Sequence, residues 1–330
     1  MADEEEDGDF DSGSDEEQGA GAAAPPEARR IPAELAGLRA DLVLGRLYPE
    51  YSRSRLQDWM RAGRVHVDGG VVGQRDKLWT GQLATIEPPP PAELGEILPE
   101  AIALQLVHED DTLMVVHKPA GLVVHPGNGN RSGTLQNALL HHDPALAGVP
   151  RAGIVHRLDK DTSGLMVVAR TLSAHIDLVR QLQARTVRRH YAAVVSGQPA
   201  GDGFVDAPIG RHPTQRTRMA VVRGGRPART WYVLQRQLGG CALLECRLET
   251  GRTHQIRVHM QHIGHPMIGD PVYGPSAAVL RTLPPAARSF PRQALHAFRL
   301  GLVHPASGAD LQWEIPLEPD LQALLEQLAT

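Results

Sequence analysis

The sequence predicts an α+β protein, with a small mixed module ahead of a larger domain built on a mixed, mainly antiparallel sheet. Three observations predict this. Apolar runs such as Leu113 to Val116, Leu165 to Ala169 and Tyr191 to Val195 are too short for stable helices. They mix with amphipathic segments irregularly, without the strand–helix–strand alternation of a parallel sheet. Four consecutive prolines, Pro88 to Pro91, interrupt the pattern as a stiff, extended linker. The resulting organisation is a tail (1–30), a small module (36–88), a Pro-rich linker (89–103) and a larger domain (104–330), with no internal repeat.

Residues 1–30 are dense in negative charge, Gly, Ala and Pro and nearly devoid of apolar side chains. Nothing there can be buried to offset ordering entropy, so a disordered acidic tail is expected. In the module, Asp41 to Leu47 gives a short helix carrying Leu42, Val43, Leu44 and Leu47. A second helix follows Ser52 or Ser54, with Leu56 and Met60 on one face and Gly63 at its end. Val65-His66-Val67, the Asp68-Gly69-Gly70 turn and Leu83 to Ile86 read as strands around a hairpin turn. In the larger domain, Leu113 to Val116 is a strand, Pro119-Ala120-Gly121 a turn and Leu122 to Val124 a return strand. Ser132 to His141 forms a helix with Leu135, Ala138 and Leu139 inward. Ser173 caps a helix reaching Gln183, with Ile176, Val179 and Leu182 inward. Ala242, Leu244, Cys246 and Leu248 alternate along a half-buried strand, and Thr253 caps a helix ending at Ile263 before Gly264 and Pro266.

Composition narrows the function classes. The formal net charge is −4, yet residues 1–28 hold eleven acidic groups and no basic one. The remainder therefore carries 34 basic against 27 acidic side chains, a body of +7. Among its cations only Lys77, Lys118 and Lys160 are lysines; arginine's planar fork suits phosphates and base edges, although a GC-rich genome yields the same bias. Cys241 and Cys246 fall on opposite faces of one strand, which argues against a disulfide scaffold and for a reducing cytoplasm. No apolar run approaches membrane-spanning length and the acidic start is unlike a signal peptide, so no membrane association is expected.

The chain's chemistry concentrates between Ile154-Val155 and Leu165 to Ala169, two apolar runs read as strands. The polar loop between them sets Arg157 and Lys160 beside Asp159 and Asp161, followed by the turn-forming Thr162-Ser163-Gly164. A carboxylate held at a strand–loop–strand junction next to a cation is a candidate nucleophile or base, and equally the composition of a solvated turn.

His156-Arg157-Leu158-Asp159, followed by Thr162-Ser163-Gly164-Leu165, resembles the central motif of the RluA-type pseudouridine synthases. Four further segments are similar to the same family in the same order. They are His117 to Pro126, Arg188-Arg189-His190-Tyr191-Ala192, Glu249 to His259, and the pair Gly269 to Gly274 with Arg292 to Ala297. The likeness covers roughly residues 35–320. Tyr51 to Leu56 with Gly63 to Gly69 resembles the S4 RNA-binding domain.

The resemblance implies an isomerase that converts specific uridines to pseudouridine, most closely in a hairpin loop of large-subunit (23S) ribosomal RNA. A transfer-RNA enzyme of the same family and a non-catalytic ribosomal-RNA assembly factor are the alternatives. It implies Asp159 as the ionised carboxylate, attacking the sugar or removing its C2′ proton. Arg257, or Arg252, would pair with it, and Tyr191 would be the base toward C5. Arg157 would fill the stack left by the flipped base. Arg53, Arg55, Arg61 and Arg64 in the module and Arg211, Arg216 and Arg218 in a basic loop that continues to Arg229 are the expected RNA contacts. The tail is then either a brush competing with RNA or a solubilising extension. The partners implied are large-subunit ribosomal RNA and pre-ribosomal particles, bound by a monomer. The isomerisation calls for no cofactor and no metal. His254, His259, His262 and His265 suggest a metal cluster, but on a helix only neighbouring pairs meet and no carboxylate or cysteine completes a set.

Overall fold

The structure, a computed structural model, describes residues 27–49, 51, 53–87, 97–127, 130, 132–215 and 217–329. The tail up to residue 26, Ser52 and the proline linker lie outside the described residues. Residues 27–87 and 97–329 belong to two separate compact units.

The smaller unit runs β1 (Glu27–Arg30), α1 (Ala40–Leu47), α2 (Arg53–Arg61), β2 (Val65–Val67), β3 (Gly70–Val71) and β4 (Leu83–Ile86). Its strands form an antiparallel sheet in the order β1-β4-β2-β3. Val43 and Leu44 of α1 and Leu56 and Met60 of α2 close a core with Val65, Ala84 and Ile86. Asp68 and Gly69 take φ of 51° and 81°, the left-handed pair that a tight hairpin requires. One boundary changes: Glu27–Arg30, expected within the tail, pairs with β4 along its whole length. Edge pairing uses backbone groups and needs no apolar side chains, and the next residue, Ile31, anchors the strand in the core.

The larger unit contains β5 (Gln105–Glu109), β6 (Leu113–Lys118), α3 (Leu135–His142), β7 (Ser163–Ala169), α4 (Leu172–Gln183), β8 (Arg188–Ser196), β9 (Gly203–Asp206), β10 (Ile209–Arg211) and β11 (Met219–Val221). There follow β12 (Arg229–Leu238), β13 (Cys241–Leu248), α5 (Gln255–His262), α6 (Ala277–Thr282), α7 (Pro285–Ser289), β14 (Leu295–Val303), β15 (Asp310–Glu314) and α8 (Pro319–Ala329). Nine described strands make one sheet in the order β5-β6-β7-β14-β8-β13-β12-β9, with β15 beside β14. Its ladders are antiparallel except β7 against β14. Strands β10 and β11 form a separate hairpin. The mixed, mainly antiparallel sheet expected from the sequence is present.

Both sheet faces are covered. On one, Met114, Val116, Met166, Val168, Leu244 and Cys246 pack with Leu135 and Leu139 of α3 and Ile256 and Met260 of α5. On the other, Leu113, Val115, Leu165 and Val167 meet Ala174 and Leu178 of α4. Strands β6 and β7 therefore lie between two cores, which is why they read as continuous apolar runs. Cys241 and Cys246 are both free and face different cores.

Local expectations differ at six places. Thr171, not Ser173, caps α4 by accepting the Ala174 N–H, and Ile176 is exposed while Val179 and Leu182 pack inward beside Ala174 and Leu178. His254, at φ 53° and with no side-chain cap, precedes α5 instead of Thr253. Ile154 makes a single bridge to Val168 and Val123 one to Thr134, so neither short run is a strand. Thr134, in a capping box with Asn137, starts α3. Residues 97–103, assigned to the linker, pack on the larger unit: Ile97 lies against its core and Asn137 Nδ2 donates to the Leu98 carbonyl at 2.7 Å. No described helix is long and apolar enough to cross a membrane.

Candidate active site

Asp159 sits in the loop that leads into β7, and that loop is fastened from below. Lys118, fully buried at the end of β6, donates to the carbonyls of Pro119, Leu122 and Lys160, each at 2.8 Å. The Gly121 N–H also reaches the Lys160 carbonyl, and the Thr162 N–H closes the turn on the Asp159 carbonyl. Arg292 and Gln293 hold the far side through the Asp161 carbonyl and Thr162 Oγ1. Gly164, at φ +123°, lets β7 approach β14: a Cβ there would lie 2.3 Å from the Ala297 carbonyl oxygen. A short, multiply hydrogen-bonded loop on a packed sheet fixes its carboxylate in position.

Arg257, from α5, completes the centre. Its Nη1 donates to Asp159 Oδ2 at 2.8 Å, while Nε and Nη2 form a fork on Asp270 at 2.7 and 3.0 Å. Asp270 is wholly buried and also accepts the Val272 and Tyr273 N–H groups. The guanidinium thus bridges a buried carboxylate and one that remains 16 % exposed. Burial pushes the Asp159 carboxyl up, but His254, Arg257 and Arg157 outweigh it and bring its pKa down to about 2. Burial pulls Arg257 down, and its two carboxylate partners more than reverse this, so it stays charged.

Tyr191, from β8, is nearly buried on the same face of the sheet core. Burial and the Asp159 charge raise its pKa, while Arg189 opposes the rise. Arg157 is half-buried, and its charge acts on Asp159 and on His125. The β10–β11 hairpin is tied to this centre: the Met219 N–H donates to Tyr273 Oη at 2.8 Å, the Arg257 guanidinium lies 5.0 Å from the same ring, and Arg218 approaches it at 5.4 Å.

Asp159, Arg257, Tyr191 and Arg157 are therefore brought together, and Arg257, not Arg252, pairs with Asp159; Arg252 Nε donates to the Pro227 carbonyl. Arg211 is exposed on β10, Arg216 lies outside the described residues, and Arg218 donates to Gln215. Arg229, read as part of a basic loop without acidic partners, is on β12 and pairs with Asp206. In the smaller unit Arg61 pairs with Asp58 on the surface, Arg64 is half-buried, and the Arg53 and Arg55 side chains are outside the described residues. Asp270 and Lys118 were given no role from the sequence, although both stand inside the segments that carry the resemblance; the signal was their position in those motifs.

His254, His259, His262 and His265 form no group of metal-ligand geometry among the described residues, and His259 is engaged by Thr230 and the Ala207 carbonyl. Among the described residues His117, His296 and Glu318 form one group of metal-ligand type, but both His296 ring nitrogens are occupied, by Ser163 Oγ and the Pro316 carbonyl.

This geometry agrees with what known proteins share with the chain. Residues 112–262, which contain Asp159, Tyr191 and Arg257, match the RNA pseudouridylate synthase family. The ribosomal large subunit pseudouridine synthase D of Nitrosomonas europaea is 55% identical over 90% of this chain and 86% of its own length. The protein of the same name from Pseudomonas aeruginosa is 52% identical over 91% of this chain and 95% of its own. Among solved structures, human RNA pseudouridylate synthase domain containing 4 superposes with a TM-score of 0.53 at 29% identity, covering 68% of this chain and 92% of that one. By its extensive identity with these relatives, the chain belongs to the RNA pseudouridylate synthase family.

Proposed function

We propose that the chain isomerises uridine to pseudouridine in large-subunit ribosomal RNA, with Asp159 as the reacting carboxylate. The observation that carries this reading is the Arg257 bridge, which keeps a largely buried carboxylate ionised beside Tyr191. Two relatives at 55% and 52% identity, each named for the ribosomal large subunit, supply the substrate class.

In the reaction the C1′–N1 bond breaks, the uracil turns, and C5 joins C1′. Asp159 starts it by attacking C1′ or by taking the C2′ proton, and either route needs the ionised form. Arg257 holds that form and orients the oxygen, and Asp270 holds Arg257. Tyr191 takes the C5 proton once the new bond exists. Arg157, two residues before Asp159, fills the stack vacated by the flipped base, offsetting part of an unstacking cost of about a few kcal/mol. Arg211 and Arg218, carried on the hairpin tied to Tyr273, grip the RNA over the site. The smaller unit acts as an S4-like RNA-binding domain through Arg53, Arg55, Arg61 and Arg64. The protein works as a monomer in the cytoplasm, on ribosomal RNA free or within pre-ribosomal particles.

The test is Asp159→Asn, assayed by tritium release from RNA labelled at uridine C5. Release at background level, with a folded protein that still binds RNA, is expected; turnover above background overturns the assignment. Mapping pseudouridines in RNA from cells with and without the protein checks the substrate class, and a change confined to transfer RNA refutes it.

A further inference from the structure

Arg189 stands two residues before Tyr191 on β8, and strand alternation puts both side chains on one face. It is 7 % exposed, and no carboxylate or other acceptor among the described residues reaches its guanidinium; its Nε–H is buried without a partner. The neighbours do not supply one. The loop entering α5 passes directly over it, since a Cβ on Gly251 would lie 2.7 Å from Arg189 Nη1. His156 accepts the Val167 N–H at Nε2, so its Nδ1 carries the hydrogen, and that buried donor is also unpartnered.

The Arg189 Nε–H and the His156 Nδ1–H are thus buried close together without an acceptor among the described residues, and the first belongs to a cation. Uncompensated burial of a charge costs several kcal/mol. The other buried arginines here have countercharges: Arg257 holds Asp159 and Asp270, and Arg292 holds Asp320. A cation kept without a partner beside a reacting group is suited to a negative charge that exists only during the reaction.

We propose that Arg189 is a positioning residue for the isomerisation, holding in reserve the positive charge that stabilises the Tyr191 oxygen as an anion. The inference rests on the role assigned to Tyr191 above. In the step concerned, Tyr191 has lost its proton to solvent. The C5–H bond then breaks and the proton passes to the tyrosine oxygen. The released electron pair forms the C5=C6 double bond, and the C6=N1 pair moves onto N1, which takes a proton from water. The charged groups that act on Tyr191 are Arg189 from its own strand and Asp159 from the loop before β7. Asp159 disfavours the phenolate and is itself paired with Arg257, which leaves Arg189 as the opposing charge.

The experiment compares Arg189→Met, Arg189→Gln and Arg189→Lys in the full chain, with C5-tritiated large-subunit ribosomal RNA as substrate. Titration of Tyr191 is read at 295 nm as the difference between each protein and its Tyr191→Phe counterpart. Removing the charge should lower kcat at neutral pH about tenfold or more with KM unchanged, and move the Tyr191 titration to higher pH. Arg189→Lys should restore both. Melting temperature should not fall, because a buried unpaired charge has been removed; Arg189→Gln, which keeps donors without charge, serves if the methionine variant does not fold. An unmoved Tyr191 titration, or a rise in KM at constant kcat, overturns the proposal. If Asp159→Asn is inactive while Arg189→Met is fully active, only this inference falls; if Asp159→Asn is active, the assignment of the site falls first.

Discussion

Asp270→Asn separates the anchor of the site from its proposed reacting group. Asp270 accepts two N–H groups of Arg257, at 2.7 and 3.0 Å, and two backbone N–H groups, at 2.8 and 2.9 Å, with no solvent exposure. Asparagine keeps a carbonyl oxygen for the backbone N–H groups and Arg257 Nη2 but turns an NH₂ group against the Arg257 Nε–H. Breaking one side of a buried pair costs about 3–5 kcal/mol. Asp159→Asn removes one 2.8 Å bond from a carboxylate with access to solvent and leaves Arg257 on its fork, so about 1–2 kcal/mol is expected. At roughly 2–4 °C per kcal/mol, Asp270→Asn should melt about 6–20 °C below the parent and Asp159→Asn well above that variant. Differential scanning calorimetry and far-UV circular dichroism on both variants, with tritium release at a temperature where both are folded, make the comparison. Asp270→Asn should retain measurable turnover and Asp159→Asn none. If Asp159→Asn is the less stable of the two, the division between anchor and reacting carboxylate is wrong.

Three histidines contribute to the acid limb of stability. Burial lowers His125, His156 and His296 to about 4, 3 and 4. Below pH 6.5 the unfolded chain therefore takes protons that the folded chain refuses, and stability falls as pH drops toward the folded values. At about 1.4 kcal/mol per unit for each group, the loss at pH 5 reaches at most about 6 kcal/mol; thermal melts that coincide at pH 7.5 and pH 5 refute this. Deleting residues 1–26, which hold ten acidic groups and no basic one, should tighten non-specific RNA binding at low salt and leave melting unchanged. Titrations at two salt concentrations check it, and an unchanged affinity excludes the brush.

The sequence made the Asp159 loop visible because its chemistry is local: Arg157, Asp159 and the turn-forming Thr162-Ser163-Gly164 are adjacent, and β7 follows as an unbroken apolar run. Arg257 was reachable through its motif as a partner of Asp159, with Arg252 as the alternative, yet its second carboxylate, Asp270, was not. What decides is tertiary: Asp270 lies 13 residues beyond Arg257 and is brought back by the turn whose N–H groups it caps. Lys118 was hidden for a related reason. Its ammonium contacts three carbonyls, one of them 42 residues away, and carbonyls carry no side-chain signature. On α4 Val179 and Leu182 face inward as read, and Ile176 was misplaced because the stripe is completed by Ala174 and Leu178, and Ala174 counts for little on any apolar scale. At Glu27–Arg30 backbone pairing overrode composition.

A chain beginning at Ile97 tests whether RNA affinity and chemistry reside in different units. The cut belongs there because Ile97 packs on the larger core and the Glu100 carboxylate accepts the Gly133 N–H, so a start at Leu104 would remove part of that unit. Asp159, Tyr191, Arg257 and Asp270 all stay, and the core around them lies within residues beyond 97. What is lost is Arg53, Arg55, Arg61 and Arg64. Arg61 is tied to Asp58 only by an exposed pair, which holds it weakly and leaves it available to a phosphate. If these arginines neutralise about three phosphates, affinity falls and the salt dependence flattens by roughly three units in log affinity per log salt. The rate of bound RNA should survive, because none of the lost groups acts on Asp159. Single-turnover tritium release at saturating RNA measures that rate directly. A fall beyond about a hundredfold, close to 2.7 kcal/mol in the barrier, in a shortened protein that melts cooperatively would mean that the smaller unit helps build the reacting geometry.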